Sequence, residues 1–124
     1  MLGTSDLVAF VATTRPDEAR KFYGGTLGLP IVGDDPAALR FDVHGVTLRV
    51  SKVQALTPAA HTVLGWKVTD IRAQVVALTA KGVAFERYGG MHQDQHGVWA
   101  SPSGARVAWF KDPDGNLLSL TQEQ

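Results

Sequence analysis

One order of elements is written twice along this chain, and that repetition constrains its fold more than any other feature. Leu7 to Ala12 is an unbroken apolar run, as expected of a strand buried on both faces. Thr14-Arg15-Pro16-Asp17-Glu18 then reads as a helix start, with a hydroxyl to cap, proline in the first turn and acids to complement the dipole. Ala19, Phe22 and Tyr23 supply its inner stripe, and Gly24-Gly25 is expected to end it. Three short strands follow, near 30–33, 38–43 and 46–53, with His44-Gly45 as the tight turn between the last two.

The second half repeats the series. Thr62 to Val68 reads as a strand, Thr69-Asp70 as the cap of a helix carrying Ile71, Val75 and Leu78 on one face, and Lys81-Gly82 as its end. Val83 to Tyr88 is expected as a strand, Gly89–Gly97 as a polar loop, and 99–101, 105–111 and 116–121 as the remaining strands. Ser101-Pro102-Ser103-Gly104 and Asp112-Pro113-Asp114-Gly115 are turn sequences. Laying Gly45 on Gly115 pairs Arg49 with Ser119, and laying Thr14 on Thr69 pairs Val8 with Val63. We therefore expect one domain over 1–124, built from a first βαβββ unit over 5–54 and a second over 61–122.

Composition narrows the function classes. Twelve basic and twelve acidic residues balance, and no dense Lys/Arg cluster marks a nucleic-acid surface. Without cysteine there is no disulfide framework, thiol nucleophile or Cys-based zinc site. No apolar run approaches a membrane span and no signal sequence opens the chain, so a cytoplasmic protein without membrane or nucleic-acid partners is the expectation. Neither a Ser/His/Asp arrangement, a phosphate loop nor a dinucleotide fingerprint is present.

Three segments carry a resemblance: Phe22-Tyr23-x-x-x-Leu27-Gly28-Leu29, Val68-Thr69-Asp70-Ile71, and Lys111-Asp112-Pro113-Asp114-Gly115-Asn116. With the repeat, they make the chain similar to the vicinal oxygen chelate (VOC) superfamily, which includes glyoxalase I, extradiol dioxygenases, fosfomycin-resistance enzymes and bleomycin-binding proteins. The resemblance implies an α+β fold in which two tandem βαβββ units form a concave half-barrel sheet with helices outside, enclosing a ligand cavity. It also implies a homodimer. Metal-dependent members place a His or Glu on the first strand of each unit and a Glu or similar ligand near the end of each last strand. Carried over, those places hold Val8, Arg49, Val63 and Ser119. Two valines cannot coordinate, a serine hydroxyl is a poor ligand, and an arginine puts positive charge where the cation would sit. The expectation is a member with no metal and no cofactor. His61, His92 and His96 do not suggest a replacement site.

Strand parity lists the cavity wall. Val8, Phe10 and Ala12, Arg40 and Asp42, and Thr47, Arg49 and Ser51 should face inward in the first unit. Val63, Gly65 and Lys67, Ala108, Phe110 and Asp112, and Leu117, Ser119 and Thr121 should do so in the second. On that parity Trp66 and Trp109 are core residues, and Trp99 joins Tyr88, His92 and His96 as an aromatic lid over the entrance. The predicted ligand-binding residues are Val8, Phe10, Arg40, Asp42, Thr47, Arg49, Val63, Trp99, Phe110 and Ser119. They suit a ligand with an apolar or aromatic body and an acidic edge, which an arginine can hold bidentately.

The favoured function is metal-independent small-molecule binding of the bleomycin-resistance kind, sequestering an antibiotic or another aromatic or acidic metabolite. The alternative is a VOC-fold enzyme of glyoxalase, lyase, isomerase or dioxygenase type, metal-free or with a non-standard site. Asp42, His61, His92 and His96 are its only candidate acid–base groups, and no catalytic residue is assigned.

Overall fold

The computed structural model describes residues 1–124 and divides them into two compact units, Met1–Thr57 and Pro58–Gln124. In the first unit, β1 (Val8–Thr13), α1 (Pro16–Arg20), β2 (Ile31–Asp34), β3 (Ala38–Val43) and β4 (Val46–Lys52) form a mixed sheet in the order β1-β4-β3-β2. In the second, β5 (Leu64–Lys67), α2 (Ile71–Ala80), β6 (Trp99–Ala100), β7 (Arg106–Lys111) and β8 (Leu117–Gln122) form another in the order β5-β8-β7-β6. Each unit is thus a βαβββ series whose first strand lies parallel to its last. The tandem arrangement anticipated from the repeat is present.

Alternation makes each sheet two-sided. In the first, Val11 and Thr13 of β1, Leu39 and Phe41 of β3, and Leu48 and Val50 of β4 are buried. Tyr23 covers this face, its ring 6.0 Å from that of Phe41. The chain after α1 does not stop at its glycines; it widens into a π-helical turn over Lys21–Thr26. A Cβ on Gly24 would meet the Phe41 ring at 3.5 Å, so this glycine brings helical backbone close to the sheet. At the front of α1, the Thr13 hydroxyl accepts from the Arg15 N–H at 3.0 Å. Asp70 does cap α2, accepting from the Ala73 N–H at 3.1 Å, and Ile71, Val75 and Leu78 are that helix's buried stripe.

The hairpin turns of the two units differ by one residue. His44 and Gly45 both have positive φ, as a two-residue hairpin of β3 and β4 requires. Between β7 and β8, Asp112 pairs with Asn116 around three residues, and Gly115 takes φ +87° after a tight turn closed by its N–H on Asp112 O. The extra residue shifts β7 by one position, so Phe41 faces Leu48 but Phe110 faces Leu118. Every β7 side chain therefore lies on the face opposite to the one expected. Phe110 and Ala108 are fully buried, with Phe110 between Trp66 (6.4 Å) and Phe85 (5.4 Å). Phe110 consequently belongs to the core, and Trp109 to the open face. Trp66 is on the core side, as expected.

The Val83–Tyr88 strand is also corrected. Only Phe85 pairs there, bridging to Phe110, and the chain returns to β7 at Trp99. The edge strand is interrupted by an excursion. Within it, Gln93 Nε2 donates to Glu86 O and Gly97 O at 2.9 Å each, and its Oε1 accepts from the Tyr88 N–H at 2.8 Å. Burial works against ionisation of Asp94, but N–H groups of Val98 and His96 outweigh it and hold this carboxyl below its usual range. The excursion is knit by two side chains rather than loose. We expect Gln93→Ala to speed amide hydrogen exchange across 86–98 while exchange in β8 is unchanged; an unaltered loop would contradict this role.

Candidate functional site

On the open face of the first sheet, cross-strand register assembles the expected residues into rows. Val8, Thr47 and Asp42 form one row, and Phe10, Arg49 and Arg40 the next. Val8 is 44% exposed and Phe10 60%, so an apolar strip runs along β1 beside Thr47 and Arg49. Such exposure of a phenylalanine is a cost in water unless something covers it.

The two arginines differ in their commitments. Arg40 lies across Gly33, where an added Cβ would sit 2.2 Å from its guanidinium, and forms an ion pair with Asp35. Asp35 is held below the usual carboxylate range, first by the Ala37 N–H and then by Arg40. Arg40 therefore pairs with neither Asp42 nor a vacant site. Arg49 is half-buried and has no hydrogen-bond or ion-pair partner in the protein. Asp42 is exposed and likewise uncommitted. Lys67, the other expected cation, pairs with Glu123 at 3.3 Å.

The open face of the second sheet carries Val63, which is exposed, and Gly65, Ser119 and Trp109 in one row. Ser119 is buried; its Oγ lies 2.8 Å from where a Cβ on Gly65 would stand, so the missing side chain makes its room. Trp99 stands 6.0 Å from Trp109, and Tyr88 meets Trp109 edge-on at 5.6 Å. Tyr88 and Trp109 border an open groove of about 480 Å³ that also takes in His61, Met91 and Leu117, while Trp99 lies outside its lining. His92 is elsewhere, in a recess with Arg72 and Arg106, and His96 contacts Gln95, so neither joins the expected aromatic group. Parity assigns Trp109 to the core instead of the open face, and Met91, in the loop, is not singled out by the sequence. The signal available was the turn 113–115, whose length sets which face Trp109 takes.

A larger recess, about 610 Å³, lies beside α1 and β2 on the other side of the first sheet. Its Arg20 is tied to Asp34 at 2.6 Å, and Asp34 also takes Lys52 at 2.7 Å. That charge cluster ties the first helix to strand edges.

The positions at which the fold's metal-dependent members bind a divalent ion do not suit one here. Val8 and Val63 offer no donor atom, Arg49 brings positive charge, and Ser119 offers one hydroxyl. No group of three or more His, Asp or Glu side chains is placed so that it could hold a metal ion. Taken unit by unit, neither pair of side chains supplies the donors a divalent ion needs.

Sequence and structure comparisons agree with this architecture. The profile of the Glyoxalase/Bleomycin resistance protein/Dioxygenase superfamily matches residues 6–120. The chain belongs to that superfamily. Among solved structures, a superfamily member from Sphaerobacter thermophilus shares 25% identity at a TM-score of 0.77, covering 99% of this chain and 100% of that one. TnmS3, an antibiotic-binding protein from Streptomyces sp. CB03234, is 24% identical with a TM-score of 0.76, covering 100% and 99%. Lactoylglutathione lyase from Agrobacterium tumefaciens is 16% identical with a TM-score of 0.74, covering 96% and 93%. No curated protein matches the chain by sequence. Binding proteins and enzymes thus share this fold, and the site has to separate them. No helix is long and apolar enough to cross a membrane.

Proposed function

We propose that this superfamily member is a small-molecule-binding protein that holds its ligand without a metal ion. The ligand has an aromatic or apolar body and an acidic edge, the chemistry expected of a sequestered antibiotic or metabolite. The observation that carries this reading is Arg49: half-buried, without a protein partner, and in one row with a largely exposed phenylalanine. A guanidinium fork can take both oxygens of a carboxylate while the ligand's body covers Phe10 and Val8. The neighbouring Arg40 is already neutralised by Asp35, so one net positive charge remains in that row. The structural likeness to an antibiotic-binding protein is compatible with this reading. The reading includes one domain over 1–124 acting as a cytoplasmic homodimer, the assembly that the family resemblance implies.

Melting shifts across matched pairs of aromatic compounds, with and without a carboxylate, test the proposal. The acids should raise Tm more than their neutral partners, and the shift should persist in chelator. A panel with no shift, or shifts that appear only with added divalent metal, would overturn it. Product analysis of each hit then separates binding from turnover.

A further inference from the structure

We propose that the groove on the second unit, cornered by Tyr88 and Trp109, binds the flat face of a neutral planar heteroaromatic group. The inference rests on reading the chain as a small-molecule binder, and it places a separate site wholly within the second unit. The two rings stand 83° apart with centroids 5.6 Å from each other, so they form perpendicular walls. A flat molecule laid against one wall presents its edge to the other, satisfying both preferred aromatic geometries at once. Trp99 backs Trp109 at 6.0 Å and 37°, which fixes the second wall in place.

Three further features suit a planar guest. Met91 flanks the corner with an adaptable, polarisable thioether. Gly89 and Gly90 remove side chains from one wall, since a Cβ on either would meet nothing within 4 Å. The groove's volume, about 480 Å³, falls in the range of small-molecule sites. No Lys, Arg, Asp or Glu lines the groove, which suits a guest without formal charge. The Tyr88 phenol, like any tyrosine near neutrality, carries its proton and can donate to a ring nitrogen or carbonyl. Gln93 Oε1 accepts from the Tyr88 N–H, which anchors the backbone at that position before any ligand arrives.

The test uses lumichrome, a neutral tricyclic heteroaromatic, titrated into the intact protein while tryptophan fluorescence is followed. We expect saturable quenching at one site per chain. Tyr88→Ala should weaken it about tenfold, the loss of one aromatic contact. Gly89→Leu, which grows into open space and should leave Tm unchanged, should abolish it. Absence of quenching, or equal affinity in Tyr88→Ala and Gly89→Leu, would overturn the proposal. If 2-naphthoate binds through Arg49 while lumichrome is ignored, the groove inference falls alone. If lumichrome binds at Tyr88 and no aromatic acid binds, the Arg49 reading falls and the groove stands.

Discussion

Phe110→Ala is expected to cost about 3–5 kcal/mol, lowering Tm by about 10–20 °C. The ring is wholly buried and packs between Trp66 and Phe85, and on the neighbouring strand its cross-strand partner Leu118 is also fully buried. Truncation there removes transfer free energy and leaves a void that three large neighbours cannot easily fill. Phe10→Ala is the control. With 60% of its surface exposed, its removal should change stability by no more than about 0.5 kcal/mol. The contrast probes the register of β7 directly. A harmless Phe110→Ala would place that ring on the open face.

Asp112→Ala is expected to cost about 3 kcal/mol, because one carboxylate organises the entire turn between β7 and β8. Its Oδ1 accepts from the N–H groups of Asp114 (3.0 Å) and Asn116 (2.9 Å), and its Oδ2 from Asn116 Nδ2 (2.8 Å). Asp112 and Asn116 are both buried, so the alanine variant strands donors away from water, and hydrogen bonds to a charged group are among the stronger ones. Asp112→Asn should fall in between, since an amide keeps one acceptor but turns a donor toward Asn116. Urea unfolding with an unchanged m-value would read these losses as stability alone. A cost below about 1 kcal/mol in Asp112→Ala would mean the turn is held by its proline and glycine instead.

The repeat was legible because helix starts, turn residues and alternating strands are local chemistry, and each unit contains its own set. Strand parity was legible wherever a strand could be read without counting through a turn. Val8, Phe10, Thr47 and Arg49 occupy the face assigned to them, since β1 and β4 alternate cleanly. Parity failed at Phe110 and Trp109, where two apolar aromatics stand side by side and hydrophobicity alone does not choose between them. The deciding information was the three-residue turn 113–115, against two residues at 44–45. The partner of Arg40 was also hidden. Asp42 shares its strand face, but Asp35 reaches it over the bare backbone of Gly33, a route visible only in three dimensions. The strand expected at 83–88 has suitable residues, yet the Gln93 side chain takes up the backbone groups of Glu86 and Tyr88 that pairing would use.

Everything proposed for the first unit turns on one uncommitted guanidinium beside exposed hydrocarbon. Calorimetric titration of 2-naphthoate into the parent protein and Arg49→Ala, in chelator, measures its contribution most directly. The account predicts saturable binding by the parent and at least a tenfold loss in the variant, about 1.4 kcal/mol, with Tm unaltered. Equal affinity in the two proteins would contradict it.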